Sequence, residues 1–240
     1  MAGNIELPTP DGPMRAYEAH PPGDPLGGVV VVMEAFGVNA HIEDVTRRIA
    51  AAGYHAIAPD LFHRSGGGTA EYGDFETVMK LFASLSGDEP IVVDVDAALG
   101  HLRGAGFDDR GLGIVGFCFG GRVTFLTALE RAIGAAVGFY GGGIVTGRFP
   151  QFPTLVERAE SLQTPWLGLF GDEDASIPVD DVERLRAALG AAPVETEIVR
   201  YPGAKHGFHC DARADFHPDA AADAWRRTLA WFAAHLSGPR

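Results

Sequence analysis

Cysteine is scarce in this chain: 240 residues hold two, Cys118 and Cys210. A secreted scaffold stapled by disulfides carries more thiols in fewer residues, so that class is excluded, and two thiols fit a reducing cytosol. Positive charge is also short. Nineteen Lys and Arg stand against 32 Asp and Glu, a formal net charge of -13. Such a surface repels a phosphate backbone, and no nucleic-acid partner is expected. Long apolar runs are missing. Stretches such as residues 28–33 fall far below the roughly 18 residues that suggest a membrane span, so no membrane partner is expected. Residues 1–11 have neither the basic nor the apolar segment of a signal peptide. Linkers, internal repeats and low-complexity tracts are absent as well. A soluble, cytoplasmic, single domain over residues 1–240 is the expectation, with the oligomeric state left open.

What is present is an ordinary globular composition, 46% hydrophobic, in a chain long enough to bury most of its apolar surface in one core. Asp11-Gly12 separates two extended runs, residues 4–8 and 14–20, and predicts a β-hairpin. Residues 26–33, 54–62, 112–117, 135–140, 164–170 and 194–201 predict strands. The first two and 112–117 have the unbroken apolar character of strands covered on both faces. Between them lie helical patterns at residues 39–52, 75–84, 91–103, 120–131, 179–189 and 219–235. In the first, Ile42, Val45, Ile49 and Ala52 recur at helical spacing. Gly66-Gly67-Gly68 makes residues 63–73 a mobile loop by expectation, and residues 147–153 an irregular aromatic one. Strand–helix alternation of this kind argues an α/β fold with a mainly parallel sheet and helices on both faces.

The segment Gly116-Phe117-Cys118-Phe119-Gly120-Gly121 lies between an expected strand and an expected helix. That is the setting of a nucleophile elbow. The turn is so tight that residues two positions either side of the centre must be small, which Gly116 and Gly120 are. It lifts the central side chain above the sheet edge, where the next helix aims its free N–H groups. A thiol there is activated, and a developing oxyanion is supported. A small buried core cysteine is the plainer alternative.

Partners follow in the order nucleophile, acid, base. After the strand ending near Phe170 comes Gly171-Asp172-Glu173-Asp174-Ala175-Ser176-Ile177-Pro178. Asp174 is the chosen acid, although any Asp there could instead cap the following helix. After the last strand comes Tyr201-Pro202-Gly203-Ala204-Lys205-His206-Gly207-Phe208, and His206 is the chosen base. His209 and His217 are rivals. His20, His55, His101 and His235 read as solvated loop or surface residues. His206, His209 and Cys210 lack the paired spacing of a zinc site, so no metal and no cofactor is expected.

With these residues in place, the whole chain resembles the dienelactone hydrolase family of the α/β-hydrolase fold. The further markers are Glu34-Ala35-Phe36-Gly37, Pro59-Asp60-Leu61-Phe62 and His206-Gly207-Phe208. The resemblance implies a triad of Cys118, His206 and Asp174. It implies that Glu34 contacts the resting thiol and helps to generate the thiolate, and that the N–H groups of Ala35 and Phe119 form the oxyanion hole. It implies a small-molecule ester or enol-lactone substrate. The family holds the substrate carboxylate with arginines, one of them four residues after the histidine, where this chain has Cys210. Arg64, Arg148 or Arg213 could substitute, and Arg64 is the chosen one. Phe36, Tyr140 and Phe208 are candidate pocket residues. Two other activities stay open: a broader carboxylesterase or thioesterase, and a redox sensor that pairs Cys118 with Cys210.

Overall fold

The computed structural model describes residues 1–238. Eight strands form one sheet. The expected hairpin is β1 (Ala2–Thr9) and β2 (Gly12–Ala19), antiparallel and in register from Ala2 opposite Ala19 to Thr9 opposite Gly12. The remaining strands are β3 (Gly28–Val32), β4 (His55–Pro59), β5 (Leu112–Phe117), β6 (Ala135–Phe139), β7 (Trp166–Gly171) and β8 (Thr196–Tyr201). Their spatial order is β1-β2-β4-β3-β5-β6-β7-β8. The β2–β4 pair is antiparallel, and every pair from β4 to β8 is parallel. Every residue of β3, β4, β5, β6 and β7 is buried. That is why these runs lack polar alternation.

Among the described residues six α-helices flank the sheet, five between strands and the last after β8: α1 (Ala40–Ala51), α2 (Phe75–Phe82), α3 (Asp88–Gly104), α4 (Phe119–Glu130), α5 (Val179–Leu189) and α6 (Pro218–His235). Arg48 of α1 lies over the Trp225 ring of α6, so these two share one face. α3 and α4 pack together on the other. The helix starts follow cap chemistry. Asn39 accepts from the Ile42 amide at 3.2 Å to open α1, and Asp74 accepts from Thr77 at 3.1 Å to open α2. α3 begins three residues before the expected 91, because Asp88 and Glu89 favour the positive end of the helix and Pro90 is tolerated in the first turn.

The expected loop after β4 is more structured than its glycines suggest. His63–Ser65 forms a short 3-10 turn, and Gly67 packs where a Cβ would lie 2.6 Å from the Asp60 carboxylate. Residues 147–153 contain no helix or strand, as expected. Among the described residues no helix is long and apolar enough to cross a membrane.

Candidate active site

The parallel strands all point their carboxyl ends at one rim, where α/β folds bind ligands. Cys118 sits on that rim between β5 and α4, with φ 54° and ψ -113°. A non-glycine residue there is strained, and the strain persists because neighbouring structure holds it. The Cys118 amide donates to the Phe139 carbonyl at 3.1 Å, and the Gly120 amide donates to the Met33 carbonyl at 3.1 Å. The elbow is thus pinned to β6 and to the end of β3. A Cβ on Gly116 would lie 2.2 Å from the Gly120 carbonyl oxygen, and one on Gly120 would lie 2.4 Å from that of Val32. The glycines are required by backbone approach. Gly120→Ala should therefore cost about 1–3 kcal/mol from overpacking. A thermal melt should read this as a midpoint lowered by roughly 2–10 °C; an unchanged midpoint would reject the account.

The loop after β7 and the turn after β8 meet beside Cys118. His206 Nδ1 lies 2.6 Å from Asp174 Oδ2, and Cys118 acts electrostatically on the same ring. Burial opposes a charged imidazole here, but Cys118 and then Asp174 outweigh it and lift His206 to about 10. Asp174 is buried, which pushes its carboxyl up. Hydrogen bonds from His206 and Ser176 outweigh that and hold it below the usual aspartate range. Ser176 supplies two of them, Oγ at 2.5 Å and its amide at 2.8 Å, both to Asp174 Oδ1. The neighbouring carboxylates are placed otherwise. Asp172 is taken by Arg200 at 2.7 Å, and Glu173 lines the cavity mouth.

Glu34 is fully buried. Among the described residues its carboxylate meets Arg213 Nη1 at 3.4 Å and the Tyr72 hydroxyl at 3.5 Å. Its hydrogen bonds therefore go to these groups, and the expected contact with the resting thiol is not among them. Tyr72 also lies 3.2 Å from Cys210 Sγ and accepts from Asn39 at 3.3 Å. Arg213 reaches this spot over the Phe36 and Tyr72 rings. Gly207 makes room for it: φ is 78°, and a Cβ there would meet Arg213 Nη1 at 2.4 Å.

A cavity of about 590 Å³ opens above Cys118, lined among others by Phe36, Phe82, Phe119, Arg148, His206 and Arg213. Arg64 does not line it. Its guanidinium is spent on the buried Asp94 at 2.6 Å and on Asp11 at 2.8 Å, so the expected substrate role of Arg64 has no place here, while Arg213 and Arg148 line the cavity. Tyr140 and Phe208 are fully buried beneath the site. Tyr140 packs edge-on against His206 and Phe208 with centroids 5.1 and 5.2 Å away, so both support the ring and neither faces the cavity. The rival histidines are also placed. His217 caps α6 by accepting from the Ala220 amide at 3.3 Å. His209 is buried against Phe117 and Trp225, and burial holds it neutral, well below the ordinary histidine range. His206, His209 and Cys210 face three different sets of neighbours and make no common metal site. Tyr72 and Ser176 were invisible as site residues in the sequence. The glycine-rich loop disguised the first, and the second was one polar residue in a polar turn.

An eight-stranded, mostly parallel sheet with a left-handed elbow residue at its carboxyl rim defines an α/β-hydrolase. Residues 14–236 match the model of the dienelactone hydrolase family. A "putative carboxymethylenebutenolidase" of Escherichia coli K12 is 40% identical over 237 residues, covering 97% of this chain and 86% of that protein. The carboxymethylenebutenolidase of Pseudomonas putida is 28% identical over 232 residues, covering 92% and 94%. A crystal structure of a "putative dienelactone hydrolase" from Klebsiella pneumoniae superposes with a TM-score of 0.89 at 43% identity, covering 97% and 98% of the two chains. The chain belongs to the dienelactone hydrolase family and is a hydrolase of that type.

Proposed function

We propose that this hydrolase cleaves an ester or enol-lactone through the Cys118 thiolate. The observation that carries the reading is the Asp174–His206 hydrogen bond beside a cysteine that sits on a strained elbow and acts electrostatically on the His206 ring. His206, held as imidazolium, pairs with the thiolate. The thiolate attacks the carbonyl carbon, and the carbonyl electrons move onto oxygen. The Phe119 N–H, at the first position of α4 where a helix amide has no internal partner, and the Ala35 N–H stabilise that oxyanion. The oxyanion collapses, the alkoxide or enolate leaves with the His206 proton, and a thioester remains. Water attacks it with His206 as base, and collapse of the adduct releases the acid and restores the thiolate–imidazolium pair.

Of the cations lining the cavity, Arg122, Arg148, Lys205 and Arg213, the choice for a substrate carboxylate is Arg213, which lies over the Phe36 and Tyr72 rings. Arg213→Gln should raise KM for a carboxylated lactone by roughly 10–100-fold, the loss of one charge-assisted hydrogen bond. A neutral aryl ester should change by less than about threefold. Equal losses on both substrates would remove the carboxylate-binding role.

A broader esterase is favoured by one feature. Phe75 and Met79 of α2 are 71% and 53% exposed and line the same cavity, a wall that suits an apolar acyl or aryl group. The redox-sensor alternative has less support. Cys210 is buried, its thiol hydrogen-bonds Tyr72, and burial pushes its pKa up, which makes it a poor thiolate.

A further inference from the structure

Three histidines that read as solvated from the sequence meet around one carboxylate. His55 Nε2 and His101 Nε2 lie 2.7 and 2.6 Å from Glu18 Oε1. His20 Nε2 lies 3.3 Å from Glu18 Oε2, and its ring packs on that of His55 with centroids 4.2 Å apart. The ligand atoms of Glu18, His55 and His101 all fall within 4.8 Å of one another. Glu18 is on β2, His20 just after it, His55 opens β4, and His101 is on α3. β4 runs parallel to β3 and β5, so its first residue lies at the end of the sheet opposite Cys118.

The geometry points to a structural binding site for a first-row divalent ion, zinc above all, built from Glu18, His55 and His101, with the half-exposed His20, which lies outside that 4.8 Å cluster, swinging in as fourth ligand. Three imidazoles and one carboxylate are a donor set zinc favours in tetrahedral geometry. Ligand bonds of about 2.0–2.1 Å place neighbouring donors roughly 3.3 Å apart. The present separations of 2.6 and 2.7 Å therefore have to open by well under 1 Å, to roughly that spacing. The parts that must move are free to do so. The side chains of His101 and His20 are 34% and 48% exposed, whereas His55, at 6%, anchors the site. Without an ion, N–H groups of the rings hold the carboxylate. On binding, a neutral ring moves its proton to Nδ1, a charged ring releases one to solvent, and Nε2 gives its lone pair to the ion. The bound ion would clamp the edge hairpin and α3 to the central sheet.

Zinc chloride titrated calorimetrically into the chelator-stripped full chain tests this. One zinc per chain is expected in wild type and in Cys118→Ala. His101→Ala should weaken it by at least about tenfold, and so should His20→Ala, with circular dichroism confirming that each variant is folded. Zinc at about 100 times its Kd should raise the wild-type melting temperature by roughly 5–10 °C. Cobalt(II) should give tetrahedral d–d bands with no thiolate charge-transfer band. Metal-free His101→Ala should hydrolyse an aryl ester like wild type. Absence of binding, wild-type affinity in both histidine variants, or loss of binding in Cys118→Ala would overturn the proposal. The last would place the ion at the catalytic thiol.

Discussion

Replacing Cys118 with alanine should lower kcat/KM for an aryl ester by about 10⁴-fold or more while leaving the fold intact. Alanine can occupy the same backbone position at similar strain, because φ of 54° burdens any non-glycine residue. The glycine contacts that define the elbow do not involve the sulfur. What disappears is the atom proposed to form the acyl-enzyme. The remaining N–H donors would still polarise a carbonyl, so activity should fall to that residue of catalysis and not to zero. Steady-state kinetics with a thermal melt of the same preparation checks both halves. Alkylation adds a second measurement. Cys118 is partly exposed and Cys210 buried, so iodoacetamide should label one thiol and abolish turnover in step with that label. An alanine variant within about tenfold of wild type would sink the assignment.

Asp174→Asn should be nearly as damaging, about 10³–10⁴-fold in kcat, although it removes no reacting atom. The carboxylate accepts from His206 Nδ1 at 2.6 Å and is itself held by Ser176. An amide there can present its N–H₂ to the ring and favour the wrong tautomer. Asp174 also helps Cys118 to hold His206 near 10 against the cost of burial. The alkaline limb of the wild-type kcat/KM profile should therefore fall near pH 10, where the ring loses the proton it donates to the leaving group. In the Asn variant that limb should move to lower pH. A profile that keeps its alkaline limb in place would remove Asp174 from this role.

The same groups set the sign of the stability profile. The His206 pKa is raised from 6.5 to about 10, so its contribution is complete below pH 6.5 and is lost as pH rises through 10. Asp174 is lowered from 3.8, so its contribution is present above that pH and fades as pH falls through the folded value. Thermal melts across this range should show resistance greatest between those limits, as far as these two groups decide it.

Much of the fold was legible because strand and elbow signals are local. The apolar runs at β3, β4 and β5 had no polar alternation to hide a buried strand. Gly116 and Gly120 bracketed Cys118 because two backbones must touch there. The site was less legible where it depended on distant loops. Residues 63–73 looked like an unstructured stretch, yet they deliver Tyr72 to Glu34 and Cys210. Arg64 is the sequence's choice over Arg213, yet the buried Asp94 claims it. Solvated-looking His55 and His101 turned out to face Glu18, since strand pairing and α3 bring together residues 37 and 83 positions apart.

By itself the sequence determined the alternation of elements, the elbow and the chain order of the proposed nucleophile, acid and base, because spacing along one chain segment encodes each of them. Tertiary structure alone decided which arginines face the cavity and where Glu34 points. Those outcomes turn on competition among groups far apart in the chain, and only packing brings the competitors within bonding distance.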